Sequence, residues 1–171
     1  VIKSKKSVFK LCGELTGKYR EGKGNSTVVD GKEFVAKEAV FYINDVSVIK
    51  NIIKKNGLKA DEVNIICSSK SENIKKLNEE VNIIVGNSED NDRQIARIGE
   101  GFKRGRIPLK GETHKKFTFC TSTVYIGADF YSTNAYSYIF ANPLVKSMTV
   151  DVSVDLQQII GRQRLDTNPF R

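Results

Sequence analysis

Ala39-Val40-Phe41-Tyr42-Ile43-Asn44-Asp45-Val46-Ser47-Val48-Ile49-Lys50-Asn51-Ile52-Ile53 is the stretch on which the fold turns. Its first five residues form an unbroken apolar run, four of them β-branched or aromatic, the pattern of a strand buried on both faces. Asn44 and Asp45 can cap a helix. Val46, Ile49, Ile52 and Ile53 then recur at helical spacing until Asn56-Gly57 stops the pattern. A strand that passes directly into an amphipathic helix is the opening of an α/β unit.

The same rhythm continues toward the C-terminus. Val63-Asn64-Ile65-Ile66-Cys67 is a second strand, with Ser68, Ser69 and Ser71 offering a cap to a short helix carrying Ile74 and Leu77. Val81 to Val85 is apolar again, a strand or a strand-like connector. Ile95, Ile98 and Phe102 predict a helix over 92–102. Lys116-Phe117-Thr118-Phe119-Cys120 and Ser137-Tyr138-Ile139-Phe140-Ala141 are strands, and Leu156, Ile159 and Ile160 predict a helix over 154–165. Toward the N-terminus, Val8, Leu11, Cys12, Leu15 and Tyr19 predict a helix over 7–20. Thr27-Val28-Val29 and Glu33-Phe34-Val35 flank Asp30-Gly31, a hairpin signal. Alternating strands and helices imply a mainly parallel sheet with helices on both faces, and ligands in such sheets bind beyond the carboxyl ends of the strands.

Composition narrows the possibilities. The 171 residues are 39% hydrophobic, enough for one domain with a real core. No apolar run is long enough to span a bilayer, and no signal-like core opens the chain, so a membrane is not an expected partner. The chain starts at Val1 rather than Met and reads as a piece of a longer protein. A net charge of +8 favours phosphate-bearing partners. Three widely spaced cysteines (Cys12, Cys67, Cys120) and one histidine (His114) make a zinc site improbable. Cys67 and Cys120 each end a strand-like run and read as buried thiols, which suits a reducing cytoplasm.

Three segments carry candidate chemistry. Gly13-Glu14-Leu15-Thr16-Gly17-Lys18-Tyr19 imitates a phosphate loop, but one residue is missing between the glycines. Tyr19 also stands where a magnesium-binding hydroxyl belongs, and the segment falls inside a helix. Thr121-Ser122-Thr123-Val124-Tyr125-Ile126-Gly127-Ala128-Asp129 follows a strand, where hydroxyls and free N–H groups can bind a phosphate backbone. Gln158-Ile159-Ile160-Gly161-Arg162-Gln163-Arg164 carries two guanidinium groups, always charged and forked to suit phosphate. Between them, Lys103, Arg104, Arg106, Lys110, Lys115 and Lys116 make a basic loop leading into Thr121, a further candidate for nucleic-acid contact.

Together these residues resemble the second, C-terminal RecA-like domain of superfamily-two helicases, the group that includes DEAD-box proteins. The segment from Thr121 to Asp129 is similar to motif V, Gln158 to Arg164 is similar to motif VI, and Val40 to Asn44 sits where motif IV begins such a domain. The resemblance covers residues 39–165. It implies a RecA-like helicase C-terminal domain over 39–171; residues 1–38 match no motif of the family and read, from their own pattern, as a helix-and-hairpin extension packed on it. It implies that Thr121, with Ser122, contacts the nucleic-acid backbone and that Gly127, Asp129, Gln158 and Gly161 line the nucleotide cleft. Arg162 would reach the terminal phosphates of ATP. Many members carry a second arginine four residues after the motif-VI glycine; Leu165 stands there, and Arg164 is the substitute.

The phosphate loop and magnesium-binding acidic motif of such an enzyme belong to its N-terminal RecA-like domain. ATP and Mg are therefore expected in the full-length protein, held mainly by that domain, with no metal held by this chain and little activity from it alone. DNA or RNA is the expected partner. The alternatives are a DNA-translocating subunit of a restriction or mobile-element system and a non-enzymatic nucleic-acid-binding α/β module.

Overall fold

The computed structural model describes residues 6–60 and 80–171. At its centre the apolar run from Ala39 becomes β3 (Glu38–Tyr42), preceded by the hairpin strands β1 (Ser26–Val29) and β2 (Lys32–Val35). β3 pairs in parallel with β5 (Phe117–Cys120) on one side and β6 (Ala135–Ile139) on the other. β4 (Val81–Ile84) adds to β5, giving an all-parallel sheet of order β4-β5-β3-β6. The registers align Ile139, Tyr42, Cys120 and Ile84 in one row, so the four strands finish level. Everything that follows a strand therefore meets at one edge.

Alternation along the strands sorts the core into two layers. Phe41, Ile83, Phe117 and Phe119 face one layer, where α1 (Val8–Arg20), α2 (Val46–Lys55) and α3 (Glu89–Ala96) pack. Ring stacking runs across this face, with Phe41 5.0 Å from Phe119 and 5.4 Å from Tyr138. Val40, Tyr42, Ile84 and Cys120 face the other layer. Among the described residues that face is covered by a 3-10 turn (Ser122–Val124), a loop through Phe130 and one short helix, α4 (Asp155–Ile159). The molecule is thus a mixed α/β fold whose parallel sheet is flanked by helices, three of those described lying on one side. Among the described residues no helix is long and apolar enough to cross a membrane.

Local chemistry explains the boundaries. Asp45, not Asn44, caps α2, its Oδ1 accepting from Val48 N at 3.0 Å. Ser7 Oγ does the same for Lys10 N of α1 at 3.3 Å. Asp30 and Gly31 both take positive φ (49° and 75°), the geometry of a tight two-residue hairpin turn. Arg20 ties the first helix to the sheet. It donates to the carbonyls of Asn56 and Gly57 at the end of α2 and forks onto Glu80 at 2.7 and 3.1 Å.

Two predicted helices differ. The one expected over 92–102 starts at Glu89, because Ser88 caps it through Asn91 N, and ends at Ala96. Phe102 lies beyond Gly101 (φ +80°) and packs on the core from a loop. The one expected over 154–165 stops at Ile159. Ile160 is extended, Gly161 takes φ +81°, and residue 163 pairs with Phe130 instead of continuing a helix. The strand expected at Val63–Cys67, its Ser68, Ser69 and Ser71 cap and the helix at Ile74 and Leu77 lie outside the described residues.

Candidate functional site

β5 ends at Cys120, whose buried thiol donates to the Phe41 carbonyl and is pushed well above its ordinary pKa by burial. The next residue, Thr121, is itself buried, and its N–H donates to Ile84 O, continuing the ladder one step. Its carbonyl accepts from Val124 N, which bends Ser122–Val124 into the 3-10 turn. Val124 and Tyr125 anchor that turn in the second layer and leave Ser122 and Thr123 exposed above the sheet. Asn44, just past β3, accepts from Ser122 N at 2.9 Å. The two threonine hydroxyls of Thr121 and Thr123 lie 3.3 Å apart. Gly86, just past β4, backs onto Thr123; a methyl group there would sit 3.2 Å from Thr123 Oγ1. The hydroxyls after β5, Gly86 after β4 and the Asn44 amide after β3 thus share one edge.

Gly127 (φ +75°) reverses the chain after this turn, so that Ala128 and Phe130 bury while Asp129 stays at the surface. Here the chain meets residues more than thirty positions away. Phe130 N donates to Arg162 O at 2.8 Å and Arg164 N donates to Phe130 O at 2.9 Å, a parallel bridge centred on Gln163. In extended chain successive side chains point to opposite sides. Gln163 turns inward, where its Nε2 donates to Ser137 Oγ at 3.3 Å and its Oε1 accepts from Asn168 Nδ2 at 3.4 Å. Arg162 and Arg164 turn outward onto Asp129. Arg164 Nε donates to Asp129 Oδ1 at 2.7 Å, and Arg162 Nη1 lies 3.5 Å from the same oxygen. Gln158, on α4, accepts from Arg162 through both its backbone carbonyl and its side-chain Oε1. Two cations share one carboxylate, so the cluster keeps a net positive charge suited to an anion.

Tyr42 is fully buried in the same layer, with its ring 6.0 Å from Tyr125 and 6.3 Å from Phe130. Burial, then the neighbouring Cys120, raises its phenol pKa; the Ser137 hydroxyl and the Arg162 guanidinium pull the other way.

No known family model, curated protein or solved structure matches this chain.

The basic loop divides by geometry. Gly105 N donates to Ile83 O at 2.7 Å and Asn82 Nδ2 donates to Arg106 O at 2.9 Å, so the loop runs along the outer edge of β4. Arg104 reaches the carboxyl end of that strand, donating to Asn87 Oδ1 at 2.6 Å and lying 3.5 Å from Asp92. Arg106 forks onto Glu112 at 2.7 and 2.8 Å; this bond and the Leu109 N–H hold the Glu112 carboxyl down at about 2. Lys103 is exposed. An open pocket of about 420 Å³ lies between Asn82, Arg104, Arg106, Glu112 and Lys115; Thr121, Asp129 and Arg162 are not part of its lining. Among the described residues no group of three His, Cys, Asp or Glu side chains suits a metal ion.

Thr121 and Ser122 share the strand-end edge with Asn44 and Gly86, while Asp129 joins Gln158, Arg162 and Arg164 in the ion cluster. Gly127 and Gly161 make no contact in that cluster and act through the backbone turns that precede Asp129 and Arg162. Asn44, Gly86 and Asn87 were not singled out as site residues from sequence. Their signal was available: each closely follows a buried strand on its carboxyl side. Gln163 and Asn168 carried no signal, since nothing in their local pattern marks them as buried.

Proposed function

We propose that this chain is the C-terminal, RecA-like motor half of an ATP-dependent nucleic-acid helicase or translocase acting in the cytoplasm. The observation that carries the reading is the convergence of both arginines of the 158–164 segment on Asp129 of the 121–129 segment, at the end of a parallel sheet. These are the two segments that resemble motifs VI and V. Their meeting supplies what phosphoryl transfer needs from a partner domain, positive charge held ready for the transferred group.

The roles follow from position. Ser122 and Thr123 offer hydroxyls, with Thr121 beneath them, to a nucleic-acid backbone. The cluster of Arg162 and Arg164 offers positive charge toward the phosphates of ATP, with Asp129 and Gln158 bonded to it. ATP with Mg would be held mainly by an N-terminal RecA-like domain, and this chain would complete the site when the two domains close. The exposed apolar side chains Ile126, Leu144, Val152, Val154 and Ile160, all in segments after strand ends, support a face that works against another domain.

Nucleic-acid-stimulated ATP hydrolysis by the intact protein tests the reading. Replacing Arg162 and Arg164 together by Ala should lower turnover about 10³-fold or more. Turnover close to wild type in that double variant would sink the assignment. A wild-type protein that binds DNA or RNA but hydrolyses no ATP would favour the non-enzymatic binding module.

A further inference from the structure

We infer that the two arginines divide the work: Arg164 is the guanidinium that meets the anionic ligand, and Arg162 is a positioning residue that fixes Asp129 and Gln158 beside it. The identity of that ligand, the phosphates of ATP, rests on the function proposed above; the division itself rests on geometry.

All three guanidinium nitrogens of Arg162 are engaged. Nε donates to Gln158 O, Nη2 donates to Gln158 Oε1 at 2.9 Å, and Nη1 lies 3.5 Å from Asp129. Its side chain is only 11% exposed. Arg164 makes a single contact, Nε to Asp129 at 2.7 Å, and its side chain is 47% exposed. Among the described residues its two Nη groups have no hydrogen-bond partner. Those groups form the outer edge of the guanidinium fork, one of the two edges that can bind a phosphate or carboxylate bidentately. Reaching a ligand would cost Arg162 three existing contacts; Arg164 can present its fork while keeping its one.

The backbone enforces the division. Gln163 is pinned inward by Ser137 and Asn168 and paired with Phe130, so residues 162 and 164 must lie on the same side. Gly161 releases the chain from α4 just before. Arg162 is then close enough to α4 to be held by Gln158, and Arg164 is one extended step further out.

Two measurements on the intact protein test this. The first is modification by the arginine reagent phenylglyoxal, mapped by mass spectrometry with and without Mg-ATP. Arg164 should react about tenfold faster than Arg162, and Mg-ATP should slow Arg164 selectively. Faster or selectively protected Arg162 overturns the division. The second is the kinetics of single variants. Arg164→Ala should lower kcat about 10³-fold with KM changed only a few-fold, and Arg164→Lys should recover little, because a point charge lacks the fork. Arg162→Ala should lower kcat about tenfold to a hundredfold, and Arg162→Lys, which keeps the charge beside Asp129, should recover most of it.

If Arg162→Ala does not fold, the Lys variant and the labelling order still decide. Retention of kcat within tenfold by Arg164→Ala, alongside a larger loss in either Arg162 variant, overturns the inference. Absence of ATP hydrolysis by the wild type defeats the proposed function instead, and the relative labelling of Arg162 and Arg164 then still tests the geometry.

Discussion

At the scale of single residues, two glycines show how backbone alone shapes the site. Gly161 takes φ +81° with open space around it, so a side chain there meets no neighbour but forces an L-residue into the left-handed region. Gly161→Ala should therefore cost roughly 1–2 kcal/mol of stability, read as a lower denaturation midpoint with an unchanged slope. Gly105 is the opposite case. Its φ needs no glycine, but a methyl group would collide with Asn82 Oδ1, behind the point where the loop bonds Ile83. Gly105→Ala should cost about 1–3 kcal/mol through overpacking and loosen the loop from β4, seen as faster amide exchange at Gly105 and its neighbours. A Gly161→Ala variant as stable as wild type would remove the argument that the extended path through 162–164 depends on a left-handed residue. Neither reason is visible in the sequence, where both positions are simply glycine beside arginine.

At the scale of elements, the clamp made by Arg20 joins three of them: the end of α1, the end of α2 and the entry to β4. Burial opposes the charge on Glu80, but the Arg20 fork and the Lys59 N–H outweigh it and hold its carboxyl below the ordinary value. A depressed folded-state pKa contributes stability above the unfolded value, about 4.3, that is lost as pH falls through the folded one. Glu80→Gln should thus be about 1–2 kcal/mol less stable than wild type at pH 7, with solvent screening of the part-exposed Arg20 limiting the effect. The gap should close below about pH 4 in paired unfolding curves. A gap that persists unchanged in acid would show that shape rather than charge makes the clamp.

Elements with strong internal patterns were legible. The apolar run from Ala39, the Ile49-Ile52-Ile53 face and the Asp30-Gly31 turn all appear where local rules put them. The early end of the helix expected over 154–165 was not legible, because helical spacing at Leu156, Ile159 and Ile160 gives no warning of a long-range partner. Phe130 captures the chain at Gln163, and a tertiary bridge overrides local periodicity. The segments around Asp129 and Arg162 stand out in the sequence as candidates; their meeting through Asp129 does not, since a bond across more than thirty residues leaves no local trace.

At the scale of the whole molecule, a net charge of +8 says that polyanions are attracted but not where they lie. The sheet gives the charge a direction. Neighbouring strands sit about 4.8 Å apart, so the edge from β4 across β5 to β3 spans about 10 Å. Along it run Arg104 with Asn87, then Gly86 and Thr123, then Ser122 with Asn44. Under the proposed function, a single strand laid on this edge would meet Arg104 at one end. Arg106 lies lower on the β4 flank, its fork already filled by Glu112, so removing it also unmasks a carboxylate.

The two should separate in salt titrations of single-stranded oligonucleotide binding by the intact protein. Each phosphate neutralised contributes about 0.7 to the slope of log K against log salt for single strands. Arg104→Ala should flatten the slope by about 0.7 and weaken binding similarly across unrelated sequences, as a backbone contact does. Arg106→Ala should weaken binding while changing the slope by less than half as much. If the order is reversed, the strand runs over the loop and its pocket, and the sheet edge above Thr121 is not the track.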